Sequence, residues 1–257
     1  MAKNKSKKLV LITGGTSGIG LGIAINYLKK GYGVVINYFN DYKRSEDVKK
    51  HLVGLGFYFN SDFFIVKADI GDEGNFNNKI RIIKNKYKDI EILINNAGIL
   101  RRGNFLNLTQ KDWLSVFNVN VFGIINVSKW FAKTCKNAKA IINIGSIRGM
   151  PHVSRTENMI YSVSKSTVPT ITAVLAKTLG PKIRVNAIIP GTIDTPQRQG
   201  LTRREQKIYG AKNTIIKRIG NVSEIADLCY YLTSNNASYI TGADFILDGG
   251  YNINYIK

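Results

Sequence analysis

The chain has 257 residues, 44% of them hydrophobic and 21% charged, with 37 Lys and Arg against 17 Asp and Glu for a formal net charge of +20. That is enough material for one well-buried core, and it excludes a disordered chain, a collagen-like repeat and a disulfide-stapled secreted module. Cys135 and Cys229 could form at most one bridge and have no metal-ligand spacing, so a reduced, cytoplasmic compartment fits and no metal is expected.

The chain begins with its only basic run, Met1–Lys8, which reads as a flexible tail over residues 1–7. The other basic residues are scattered along the sequence, which argues against nucleic acid as the main partner. Leu9–Ile12 is too short for a signal-peptide core, and no apolar stretch approaches the roughly 20 residues needed to cross a bilayer. Strands are predicted at Lys8–Thr13, Gly33–Tyr38, Phe63–Lys67, Glu91–Asn95, Ala138–Ser146 and Ile183–Ile189, with a last short one at Asp244–Leu247. The first six are rich in Val and Ile and nearly continuous in hydrophobicity, as strands covered on both faces should be. Helical periods fall between them at Gly18–Lys30, Asp41–Leu55, Asp72–Tyr87, Lys111–Lys136, Ile160–Leu179 and Ser223–Ser234. This alternation implies right-handed parallel crossovers. The expected fold is α/β, a single-domain Rossmann-type doubly wound parallel sheet of about seven strands with helices on both faces, over residues 8–257.

The first strand runs into Thr13-Gly14-Gly15-Thr16-Ser17-Gly18-Ile19-Gly20 at the start of a helix. Glycine lets the backbone approach a diphosphate closely, and the helix N-terminus offers free N–H groups and positive dipole to that anion. The spacing G-x-x-x-G-x-G differs from the common dinucleotide fingerprint, and by itself such a turn can be a mere tight connection.

Further residues follow in order: Asn95-Asn96-Ala97-Gly98 after the fourth strand, Asn120 in a helix, Ser146 at the end of the fifth strand, Tyr161-Ser162-Val163-Ser164-Lys165, Pro190-Gly191-Thr192, Tyr239-Ile240-Thr241-Gly242 and Asp248-Gly249-Gly250. Together with the glycine loop they resemble the roughly 250-residue branch of the short-chain dehydrogenase/reductase family, and within it the 3-oxoacyl-acyl-carrier-protein reductases. The resemblance runs from residue 8 to residue 250 and implies a homotetramer or homodimer. The apolar residues of the two long helices, among them Trp113, Phe117, Trp130 and Phe131, could pack across two-fold axes or serve as ordinary core.

Reduction of a carbonyl by hydride puts negative charge on oxygen, which calls for a proton donor and a hydrogen-bond partner. Tyr161 is the candidate acid, and Lys165, one helical turn later on the same face, would favour its phenolate and lower its pKa. The resemblance further implies that Lys165 holds the nicotinamide ribose, that Ser146 steadies the substrate oxygen and that Asn120 positions a relay water. Fifteen residues separate Ser146 from Tyr161 where the family more often has about thirteen, and the extra length falls in Arg148–Ile160. Cofactor contacts are implied for Gly14, Thr16, Ser17, Gly18, Ile19 and Gly20, for Asn37 and Tyr38, for Asp69 at the adenine ring with Ile70, and for Asn96, Ala97 and Gly98. The same holds for Tyr161 and Lys165, and for Pro190, Gly191, Ile193 and Thr195.

The acidic residue that would select NAD(H) is replaced by Tyr38, and Lys43 and Arg44 follow, so NADP(H) is preferred. The segment 192–214, with Arg198, Arg203, Arg204, Lys207 and Lys212, reads as a polar substrate lid or a solvated basic loop. With Arg101, Arg102 and Arg148 it suits a 3-oxoacyl thioester on an acidic acyl carrier protein. A keto sugar, a polyol or another small-molecule ketone is the alternative, and a non-catalytic dinucleotide-binding protein is the remaining one.

Overall fold

The Val- and Ile-rich runs pair as strands because β-branched side chains pack well on a pleated, two-sided surface. In the computed structural model, which describes residues 7–195 and 202–254, they are β1 (Leu9–Ile12), β2 (Gly33–Tyr38), β3 (Phe63–Lys67), β4 (Ile90–Asn95), β5 (Ala140–Ile144), β6 (Arg184–Pro190) and β7 (Asp244–Leu247). All neighbours are parallel, in the order β3-β2-β1-β4-β5-β6-β7. Every residue of β1, β2 and β5 is buried.

The α-helices among the described residues are α1 (Gly18–Lys29), α2 (Tyr42–Gly54), α3 (Glu73–Lys79), α4 (Gln110–Phe117), α5 (Gly123–Thr134), α6 (Met159–Leu179), α7 (Arg203–Asn213) and α8 (Val222–Thr233). Alternate strand residues serve opposite layers. Val10, Ile12, Val34 and Ile36 meet Ile23, Tyr27, Leu52 and Ile225 from α1, α2 and α8. Leu9, Leu11 and Val35 meet Phe76, Val127, Trp130, Phe131 and Ala176 from α3, α5 and α6. The result is a Rossmann-type α/β fold with the sheet between two helical layers. Cys229 belongs to the first layer and Cys135 to the second, and both are free thiols. No helix among the described residues is long and apolar enough to cross a membrane.

Four elements differ from their sequence-based prediction. The helix expected over Lys111–Lys136 is interrupted by a π-helical turn at Asn118–Phe122 between α4 and α5. The one expected over Asp72–Tyr87 stops at Lys79 and continues as 3₁₀ turns over Ile80–Asp89, which kink at Ile83 (φ −110°, ψ 22°), where the side chain is buried. β5 ends at Ile144, so Ser146 lies just past the strand. The polar segment 192–214 contains α7, opened by a reciprocal capping box between Thr202 and Glu205, while residues 196–201, including Arg198, lie outside the described residues. Of the basic tail, residues 1–6 are likewise outside them, and Lys7 pairs with Asp62 at 2.5 Å. Trp130 and Phe131 are core residues, Trp130 packing edge-on against Phe76 and Tyr87.

Candidate active site

In an open parallel sheet, ligands bind beyond the carboxyl ends of the strands at the point where strand order reverses, here between β1 and β4. Beyond β1, Gly14 takes a φ of +61°, and a Cβ there would lie 2.8 Å from the Ala97 Cα. A Cβ on Gly20 would lie 2.4 Å from the Gly14 carbonyl oxygen and 2.5 Å from Asn96 Nδ2. The Thr13 hydroxyl accepts from the N–H groups of Asn96 (3.0 Å) and Ala97 (3.1 Å), and the Asn96 amide donates to the Thr13 and Gly14 carbonyls at 3.0 Å each. The segment after β4 therefore clamps the glycine loop.

The loop ends at Ser17, the N-cap of α1, whose side chain makes no capping bond, and the first turn of α1 carries no acidic residue. Its free N–H groups and positive dipole are left for an external anion. Thr195 stands beside Gly18, with Cγ2 at 3.4 Å from where a Cβ would be. Between these come Ile193, buried and bridged to Gly220, and Gly191, packed so closely on Asp248 that a Cβ would lie 2.6 Å from its Cβ. Pro190 is the buried last residue of β6.

At the end of β2, Asn37 is buried and spends its amide on the Ala68 carbonyl at 2.9 Å, while its own carbonyl accepts from Gly15 N at 3.1 Å. Asn37 thus meets the glycine loop through its backbone. Tyr38 is buried beside it. Asp69 accepts from Gly71 N at 2.9 Å, and the Ile70 carbonyl accepts from Asn126 at 3.1 Å. Asp41 caps α2 and pairs with Arg44 at 3.1 Å, leaving exposed Lys43 in the same helical turn. This narrow, glycine-lined cradle under an uncapped helix fits a dinucleotide diphosphate.

The reactive groups collect at the ends of β4 and β5. The buried Lys165 ammonium donates to the Ile144 carbonyl at 2.8 Å, and desolvation by burial pulls its pKa down from 10.5 to about 8. The same nitrogen lies 5.9 Å from the centroid of the Tyr161 ring, one turn earlier on α6. Pro169, four residues on, has no N–H to return to the Lys165 carbonyl, and Gly149 packs there, where a Cβ would lie 2.7 Å from that oxygen. Ser146 is extended (φ −168°) and its hydroxyl accepts from Arg148 N at 3.2 Å.

Asn120 sits in the π-turn, a device frequent at functional sites. Its Oδ1 accepts from Ile99 N at 2.8 Å, and its Nδ2 donates to the Ile99 carbonyl at 3.0 Å and to the Ser164 hydroxyl at 2.9 Å. Ser164 in turn donates to the Tyr161 carbonyl at 2.8 Å. A Cβ on Gly98 would lie 3.4 Å from both Asn120 Oδ1 and Lys165 Nζ, so the glycine keeps a gap open where the two side chains converge. Ser164 was missed by sequence reasoning. Its only signal was a hydroxyl within the Tyr-to-Lys turn, and the spacing did not show that it faces Asn120. Of the three outlying arginines, Arg101 pairs with Asp112 at 2.9 Å, Arg102 is exposed, and Arg148 donates to the Val153 carbonyl at 2.7 Å.

A family profile described as enoyl-(acyl carrier protein) reductase matches residues 14–252. The 3-oxoacyl-acyl-carrier-protein reductase of Buchnera aphidicola is 33% identical over 248 residues, covering 95% of this chain and 97% of that protein. The acetoacetyl-CoA reductase of Cupriavidus necator is 30% identical, covering 95% and 98%. Among solved structures, a short chain dehydrogenase from Burkholderia cenocepacia in complex with NADP superposes with a TM-score of 0.84 at 28% identity, covering 97% of this chain and all of that one.

Proposed function

The chain belongs to the short-chain dehydrogenase/reductase family and is an oxidoreductase, and from that membership we propose that it reduces a 3-oxoacyl thioester to the 3-hydroxy compound with NADP(H). The observation that carries the mechanism is the convergence of Asn120 and Lys165 on the gap at Gly98, with Tyr161 one helical turn from the lysine. When bound, the nicotinamide cofactor supplies the hydride. The Tyr161 phenol gives its proton to the carbonyl oxygen as charge develops there. Ser146 donates a second hydrogen bond to that oxygen. Lys165 makes the phenolate left behind less costly and holds the nicotinamide ribose, and Asn120 orders the water that returns a proton to the relay.

The glycine loop from Gly14 to Gly20, with Asn96 and Ala97 behind it and Thr195 beside it, holds the diphosphate. Asp69 and Ile70 border the adenine. Tyr38, standing where an acidic residue would select NAD(H), supports NADP(H), and at the start of α2 exposed Lys43, with Arg44 if it leaves Asp41, would supply the cations for a 2′-phosphate. The thioester reading rests on the names of the relatives and on the exposed cation of Arg102, with Arg148 held nearby on the Val153 carbonyl. An acidic acyl carrier protein is the natural carrier for a surface of formal charge +20. A homotetramer or homodimer in the cytoplasm completes the reading.

The test is loss of NADPH absorbance with acetoacetyl-CoA, repeated with NADH. Rapid oxidation of NADPH with little of NADH is expected. No oxidation of either, by protein that binds NADPH, would overturn the thioester reading and direct the search to keto sugars and polyols.

A further inference from the structure

The stretch between Ser146 and Tyr161 holds three short 3₁₀ turns, Ile147–Gly149, Pro151–Val153 and Thr156–Asn158. Turns of this length make too few bonds of their own to stand alone. What holds them is a chain of four side chains drawn from three separate segments. Arg148 braces the first two turns through the Val153 carbonyl and points its other guanidinium nitrogen at the Tyr251 hydroxyl at 3.4 Å, with its cation 5.3 Å over the Tyr251 ring. The Tyr251 hydroxyl lies 3.0 Å from that of Tyr209 on α7. Tyr209 accepts from Arg155, which immediately precedes the third turn and whose guanidinium lies 5.3 Å over the Tyr209 ring. Since Arg155 and Arg148 can only donate, each tyrosine oxygen accepts from its own arginine, and either hydroxyl can donate to the other across the Tyr209–Tyr251 bond.

Tyr251 is itself rigidly presented. The buried Asp248 carboxylate accepts from Gly250 N (2.8 Å), Asn252 N (2.8 Å) and Asn252 Nδ2 (2.9 Å), shaping a tight turn after β7. The same turn touches both neighbours again, through His152 on the Asn252 carbonyl (3.1 Å) and Asn254 on the Asn213 carbonyl at the end of α7 (3.1 Å). Tyr251 packs against the buried apolar cluster that includes Ile147, Val153 and Ile189, so its ring has an apolar seat.

We infer that Tyr251 is a positioning residue: its hydroxyl registers α7 against the loop that carries Ser146, so that the serine is set only when α7 is seated. The link to the serine is direct, because Arg148 N is the group bonded to the Ser146 hydroxyl. The functional part rests on the reading of Ser146 as the holder of the substrate oxygen; the mechanical part does not. The extra length of this loop thereby acquires a use, since it carries both arginines that grip the two tyrosines.

The test uses the full chain with Tyr251→Phe, Tyr209→Phe and the double substitution. Phenylalanine keeps the apolar seat and removes only the hydroxyl. Amide hydrogen exchange is followed over residues 147–158 and 203–213, alongside NADPH affinity and the KM and kcat for acetoacetyl-CoA. Each single substitution removes the tyrosine–tyrosine bond and one arginine bond, and should speed exchange in both segments by about fivefold and raise KM about tenfold, with NADPH affinity unchanged. The double variant removes the shared bond and both arginine bonds, so it should be worse than either single one but by less than the product of the two effects, because each single variant already loses the shared bond. Unchanged exchange in either segment would overturn the latch. Faster exchange with unchanged KM and kcat would overturn the positioning role. If the unaltered protein turns over no carbonyl substrate, the proposed function fails, and the exchange arm still decides the latch.

Discussion

The Asn120 side-chain amide donates to the Ser164 hydroxyl at 2.9 Å, which joins the π-turn between α4 and α5 to the helix that bears Tyr161 and Lys165. Both residues are fully buried, so each must satisfy its polar atoms with the other or with nearby backbone. Ser164→Ala strips a partner from a buried amide and should cost about 1–3 kcal/mol in stability. In a chemical denaturation series the midpoint falls, and kcat falls about tenfold as the amide loses its fixed direction, with NADPH affinity unchanged. Unaltered kcat would mean that Ile99 alone orients Asn120.

Tyr161→Phe removes a proton donor and nothing of the ring. Turnover should fall by a factor of about 10² to 10⁴, the usual worth of a positioned acid. NADPH titration by fluorescence should still show binding close to that of the unaltered protein. Full activity in this variant would take Tyr161 out of the mechanism.

The buried Lys165 gives a prediction about pH. Its pKa is held down at about 8 in the folded protein against 10.5 for an ordinary lysine. Between those values the unfolded chain binds more protons than the native one, so this group makes the protein more stable as pH rises, by up to about 3 kcal/mol. Below about pH 8 the native state bears the full cost of a desolvated ammonium. Lys165→Met should therefore gain most, relative to the unaltered protein, at pH 7, and that gain should shrink towards pH 10. Urea titrations of the two proteins at both values decide it, and a pH-independent difference would refute the shift.

Gly20→Ala places a methyl group 2.4 Å from the Gly14 carbonyl oxygen and 2.5 Å from the Asn96 amide. Neither can retreat without breaking the clamp between the glycine loop and the segment after β4. NADPH affinity should drop by about tenfold or more, with a destabilisation of about 1–3 kcal/mol from the overpacked contact. Gly54→Ala, where nothing lies within 4 Å of the added carbon, serves as the control and should change neither.

Much of this arrangement was legible in the residues alone, for physical reasons that differ from element to element. Gly33–Tyr38 and Phe63–Lys67 were read to the residue because strands buried on both faces leave continuous apolar runs between polar turns. The π-turn at Asn118–Phe122 was invisible, because one extra backbone residue hardly disturbs the apolar period of a long helix. Helix α7 was read as a lid or basic loop since its outer residues are charged, yet its start carries a Thr202-x-x-Glu205 signature that local pattern alone could have supplied. Asn37 shows a different limit: its place beside the glycine loop followed from order along the chain, but its amide is turned to the Ala68 carbonyl just past β3, a direction that no one-dimensional pattern encodes.

The clamp on the glycine loop has one further consequence. Thr13 and Asn96 already supply the bonds that shape the turn, so a dinucleotide bound there as proposed would find a finished mould rather than a slack segment to be gathered up. Little chain entropy would then be surrendered on binding. A surface set in advance by its own backbone also discriminates by shape, because it cannot relax around a phosphate group of the wrong spacing.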